Sequence, residues 1–145
     1  MNANNKTTYQ GGKAGAGWLI TRGLAAGVLA LAANLLVYLR APALFNFSLA
    51  IPVMGPGSPI MPLPFTMVVF ATVVPTIGAT ILLAVLSRFT TSAVTIFRII
   101  AVVFLLLSFA VPLSLPVPLL VRATLASMHV ITAAAVVIML TAPRK

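Results

Sequence analysis

The chain has 145 residues, of which 61% are hydrophobic and 6% charged, and it contains neither Asp nor Glu. A soluble domain carries roughly 25% charged residues, so this chain could not cover its own surface in water. With no carboxylate, no Cys and the single His129, it lacks the ligand set of a metal site, the partners for general acid–base catalysis and a carboxylate proton relay.

The net charge is +9. In a soluble protein that would suggest nucleic acid. Here the basic residues sit at the ends of apolar segments and never form a run, which points to membrane topology and to anionic lipid headgroups as partners, with no nucleic acid. The length fits one domain of four spanning helices at about 20 residues each.

Residues 1–17 are polar and read as a flexible N-terminal tail; residues 18–145 read as one transmembrane domain. The first apolar stretch, about 18–39, is too long for the apolar region of a usual signal peptide and reads as the first span. Trp18 and Tyr38 are expected as its interfacial anchors. Residues 40–64 are rich in proline, which breaks helices, and are read as lying outside any span. Phe45, Phe47, Leu49, Ile51 and Val53 alternate with smaller or more polar residues, the period of a strand. Gly55-Pro56-Gly57-Ser58 supplies a turn. An imperfect hairpin over 41–64, apolar face down on one end of the bundle, is the expectation; a Pro-rich irregular loop is the alternative.

The second span is expected over about 65–86, with Pro75 in its middle, followed by a polar turn at Ser87 to Ser92. The third covers about 94–111, with Arg98 snorkelling near its start. Pro112 to Pro118 reads as a tight turn. The fourth span is about 119–140. The predicted fold is thus an all-α membrane protein, an up-down bundle of four helices with a hairpin-like loop between the first two. Lys6, Lys13, Arg22, Arg88, Arg98, Arg144 and Lys145 then lie on one side, and Arg40 and Arg122 on the other. The positive-inside rule places both termini in the cytoplasm.

The stretch from about Pro62 to Leu140 carries Leu86-Ser-Arg-Phe-Thr90, then Phe97-Arg98-Ile99, Leu107-Ser108 leading to Pro112, and Met128-His129 within the last helix. It resembles a family of bacterial four-helix integral membrane proteins classed as a domain of unknown function. The resemblance implies a bacterial cytoplasmic membrane, four helices and an extracytoplasmic hairpin, and it implies no activity.

Three sets of residues invite a functional reading. Gly23, Gly27, Ala30 and Asn34 form one helical stripe of small residues ending in an amide. Such a stripe lets backbones approach closely, inside the bundle or between two copies of the chain. Thr72, Thr76 and Thr80 form a row that would line a water path or bond their own helix carbonyls. Arg122, Ala126, His129 and Ala133 form a third stripe, with His129 near mid-span. An intramembrane ionisable residue is a candidate by default. His129 reads either as a neutral imidazole bonded to a neighbour or as the axial ligand of a cofactor. A Ser–His pair with Ser108 as nucleophile has no supporting motif.

Antiparallel spans would bring Asn34, Thr72 or Thr76, Ser108 and His129 to similar depth, within about two turns of the midplane. They are expected to turn inward as a polar layer. No cofactor is predicted. The leading reading is a non-catalytic accessory or structural subunit acting through helix packing, alone in homo-oligomers or with membrane protein partners. The alternative is a small transporter or channel, or a bundle that binds a lipid or cofactor.

Overall fold

The computed structural model describes residues 16–52 and 57–143. The proposed tail, apart from its last two residues, and the first half of the predicted turn, Gly55-Pro56, lie outside the described residues. In chain order the elements are α1 (Ala16–Phe45), β1 (Ala50–Pro52), β2 (Ile60–Pro62), α2 (Phe65–Phe89), α3 (Ala93–Ser108), α4 (Ala110–Ser114) and α5 (Leu119–Thr141). Among the described residues four helical segments, with α3 and α4 counted as one, are long and apolar enough to cross a membrane. The helices expose rows of large apolar side chains such as Leu24, Phe70, Phe104 and Ile138, a surface suited to lipid and not to water.

α1 runs six residues beyond the end expected for the first span, and takes in Pro42. Pro42 removes the N–H that would bond the Tyr38 carbonyl, yet the helix continues three residues past it. Termination comes instead at Asn46, whose φ of +49° is left-handed. The Phe47 amide donates back to the Pro42 carbonyl at 3.2 Å, which is the bond of a Schellman cap.

The hairpin between α1 and α2 is present but shorter than the alternation implied. β1 and β2 pair antiparallel over three residues each, with Ala50 opposite Pro62 and Pro52 opposite Ile60. The Leu63 amide adds a bond to the Leu49 carbonyl at 2.9 Å. Prolines at 52, 59, 62 and 64 limit the ladder, because each removes a donor. Leu49 and Ile51 are buried, so their apolar face does point into the protein. Phe45 belongs to the helix and is exposed. Tyr38 donates its hydroxyl to the Leu63 carbonyl at 3.0 Å and packs edge-on to Phe65, fastening the hairpin's exit to α1.

The third span also differs from expectation. Pro112 lies inside a short helix, α4, and not in a turn. It occupies the third position of that helix, where a missing N–H is tolerated. Its ring cannot sit beside the carbonyl of Ser108, four residues back, and the helix accordingly breaks at Phe109. Arg122 from the start of α5 reaches the turn that follows, donating to the Val117 carbonyl at 2.9 Å and the Leu113 carbonyl at 3.4 Å.

α2 and α5 form the middle of the bundle, each packed against both α1 and α3. Two apolar clusters close it. One, around Leu19, Leu83, Phe97, Val136 and Leu140, lies at the end that holds the start of α1 and the end of α5. The other, around Ile51, Leu63, Val68, Val121 and Met128, lies under the hairpin. At the first end Arg22 donates to the Met139 carbonyl at 2.9 Å and lies 4.6 Å over the ring of Trp18. Arg98 donates twice to the Thr141 hydroxyl, at 2.9 and 3.2 Å. Two cations from different helices thus meet the negative end of the α5 dipole.

Candidate functional site

Between the two clusters the bundle is polar and partly hollow. Asn34 on α1 is 2% exposed. Its Nδ2 donates to Thr72 Oγ1 on α2 at 2.9 Å and to Thr132 Oγ1 on α5 at 2.8 Å. Each threonine in turn donates to its own helix, Thr72 to the Val68 carbonyl and Thr132 to the Met128 carbonyl. A hydroxyl has one proton. With both protons committed, the end of the amide that meets the threonines must be the NH2 end. Asn34 Oδ1 is left buried with no hydrogen-bond partner.

The predicted polar layer is therefore smaller than expected and differently composed. Asn34 and Thr72 meet, and Thr132 completes the triad. Thr76 and Ser108 bond only to carbonyls of their own helices, of Thr72 and Leu105. A hydroxyl on a helix always has such a carbonyl within reach, so proximity in depth does not force it across to a neighbour. The stripe expected at Arg122, Ala126, His129 and Ala133 lies one residue from the buried face, because Ser127 and His129 put polar groups at other angles of α5 as well. The buried side chains on α5 include Val121, Thr124, Met128, Thr132 and Ala135. Thr124 and Thr132, eight residues apart, were the signal for the true face.

The small-residue stripe of α1 faces α2. A Cβ built on Gly23 would lie 2.5 Å from Thr80 Oγ1, and one on Gly27 would lie 3.5 Å from Thr76 Cγ2. Ala30 is fully buried. In this structure the stripe serves packing inside the bundle.

His129 is half-buried, and its Nδ1 lies 2.8 Å from the Leu125 carbonyl. A carbonyl only accepts, so Nδ1 is the donor in this contact, and the tautomer that makes it leaves Nε2 as an acceptor. Nε2 is the nitrogen that a bound group would meet.

These groups share a cavity of about 750 Å³. Asn34, Thr72, Thr132, His129 and Ser108 all line it, with an otherwise apolar wall from α2, α3 and α5. Small residues leave the room: Ala71 and Gly78 on α2, Ala101 on α3 and Ala133 on α5. Val74 and Phe104 also line the cavity, yet are 60% and 64% exposed. The cavity therefore reaches the surface of the bundle between α2 and α3, where the hydrocarbon of a bilayer would be. Pockets of 300–1,000 Å³ with apolar walls and a few convergent polar groups are typical of small-molecule sites.

Residues 14–145 match the family described as a family of unknown function, DUF6069. The chain belongs to that family. The match covers all four candidate spans, the hairpin and every residue that lines the cavity. No curated protein and no solved structure matches the chain. The family and the four apolar helices together fit a multi-pass membrane protein.

Proposed function

We propose that this chain is a non-catalytic membrane protein that holds an apolar, lipid-like molecule inside its four-helix bundle. The observation that carries the reading is the cavity of about 750 Å³, open sideways between α2 and α3 and lined by the polar triad and His129. Packed protein interiors contain few voids larger than a water molecule. A space of this size, facing the hydrocarbon, is suited to a guest that arrives from the membrane. Nothing in the wall supplies a nucleophile with a base beside it, since the Ser108 hydroxyl is spent on the Leu105 carbonyl.

The membrane we infer is a bacterial cytoplasmic membrane. Both termini face the cytoplasm, where Arg22, Arg88 and Arg98 would meet anionic headgroups, and the hairpin lies outside. A role as an accessory subunit, or as a homo-oligomer, is compatible with the broad apolar surface.

The test is purification of the full chain in mild detergent, followed by extraction and mass analysis of what accompanies it. The expected result is one class of apolar molecule near one per chain, lost in Gly78→Phe. Gly78 lines the cavity and a Cβ there meets nothing within 4 Å, so a larger side chain is accommodated at the cavity wall without a backbone clash. The same mixture of bulk lipids with both proteins would overturn the reading. A stoichiometric protein subunit in place of a small molecule would favour the accessory role.

A further inference from the structure

The polar wall of the cavity has a single hydrogen-bonding sense. Its hydroxyls have no proton to offer, since Thr72, Thr132 and Ser108 each donate to a carbonyl of their own helix. The amide of Asn34 spends both its protons on the threonines and keeps only Oδ1, buried and unpartnered. His129 spends its proton on Leu125 and keeps Nε2. On α2, Pro75 has no N–H to give the carbonyl of Ala71, and both residues line the cavity. At the wall the His129 ring, the Ala71 carbonyl and the Ser108 oxygen can thus accept a hydrogen bond, Asn34 Oδ1 lies buried just behind them, and the polar side chains there have nothing left to donate.

From this one-sided wall we infer that the cavity selects an apolar molecule bearing a hydrogen-bond donor, an alcohol or a phenol, over the same molecule with that donor capped. The inference rests on the proposed role of the cavity as a ligand site. A hydroxyl entering from the bilayer gives its proton to an acceptor that otherwise sits unsatisfied in a low-dielectric interior, where that lack is costly. A ketone, ester or ether brings only further acceptors and gains nothing. A cation is disfavoured as well, since the chain has no Asp or Glu side chain to neutralise it.

The test uses the full chain in lipid nanodiscs and a long-chain primary alcohol that carries a diazirine. Photolabelling is competed with 1-hexadecanol and, separately, with hexadecyl methyl ether. The expected result is labelling on α2, α3 or α5, and a roughly three- to tenfold stronger competition by the alcohol, the range one net hydrogen bond provides. In Asn34→Leu and His129→Phe the alcohol's advantage should shrink towards equality while labelling persists. Equal competition by the two compounds in the native chain, with labelling still lost in Gly78→Phe, would overturn the donor selection and leave the cavity reading intact. Labelling unchanged in Gly78→Phe would overturn both. The comparison of two ligands on the native chain requires no variant to fold.

Discussion

Gly23 on α1 and Thr80 on α2 touch where neither helix has room for another atom. A methyl on Gly23 would lie 2.5 Å from the Thr80 hydroxyl oxygen and 2.8 Å from its methyl. Thr80 cannot simply rotate away without giving up its bond to the Thr76 carbonyl at 2.8 Å. Gly23→Ala should therefore destabilise the folded protein by about 1–3 kcal/mol, the usual cost of overpacking. Thermal unfolding in detergent reads this directly. Gly17→Ala, where a Cβ meets nothing within 4 Å, should not be destabilising, and Thr80→Ala should recover much of the loss in the double variant. Equal stability of Gly23→Ala and the native chain would refute the close approach.

A second expectation concerns the triad. Asn34→Leu removes two interhelical bonds. Such bonds average only about 0.6 kcal/mol each in membrane proteins. Both threonines keep their own helix carbonyls, so no donor is stranded, and the unpartnered Oδ1 disappears with the amide. The net change in stability should stay within about 1 kcal/mol. Thr132→Val should cost at least as much, since it leaves one buried Asn34 amide proton without a partner. A loss of several kcal/mol in Asn34→Leu would mean that the triad holds the bundle together.

The third prediction is local. Arg22 caps carbonyls at the end of α5, and Arg98 holds Thr141. A cation at a helix C-terminus contributes roughly 0.3–1 kcal/mol. Arg22→Met should raise amide hydrogen exchange over the last turn of α5, while exchange around Thr132 stays unchanged. Arg98→Met should give the same pattern more weakly. Uniform acceleration along α5 would show that these arginines support the whole helix.

Topology gives the fourth. Seven basic residues on one side against two on the other predict that Lys145 is cytoplasmic and Gly57 is outside. Reporter fusions at the two positions should read opposite compartments. The same compartment for both would exclude a four-span path between the termini.

How much of this was legible beforehand follows from what kind of signal each feature leaves. Long apolar runs announce spans, and the four helices fall where hydropathy puts them. Their ends were less legible. Pro42 reads as a breaker by composition, yet α1 continues through it, and Asn46 is what stops α1. Asn34 and Thr72 were visible as polar residues at one depth. Thr132 was not, because α5 also carries Ser127 and His129 at other angles, so its polar residues do not mark one face. The cavity left the faintest trace. It is made by Ala71, Gly78, Ala101 and Ala133 being small on three helices at once, and none of them is unusual in its own segment.

The central position of α5 has a consequence for assembly. It packs against α1, α2, α3 and α4, yet it follows all of them in the chain. While the ribosome is still making it, α1 has met only α2 along its length, and Arg22 has none of the α5 carbonyls it caps in the finished protein. Asn34 waits with one threonine of its two. The earlier helices must therefore reside in the membrane as an open set, its hydrophilic seam exposed to lipid or to the insertion machinery, until the last span slots between α1 and α3. Closure of the bundle thus falls to the last element made, and a change that weakens the seat of α5 on α1 should leave the earlier helices without their largest shared contact.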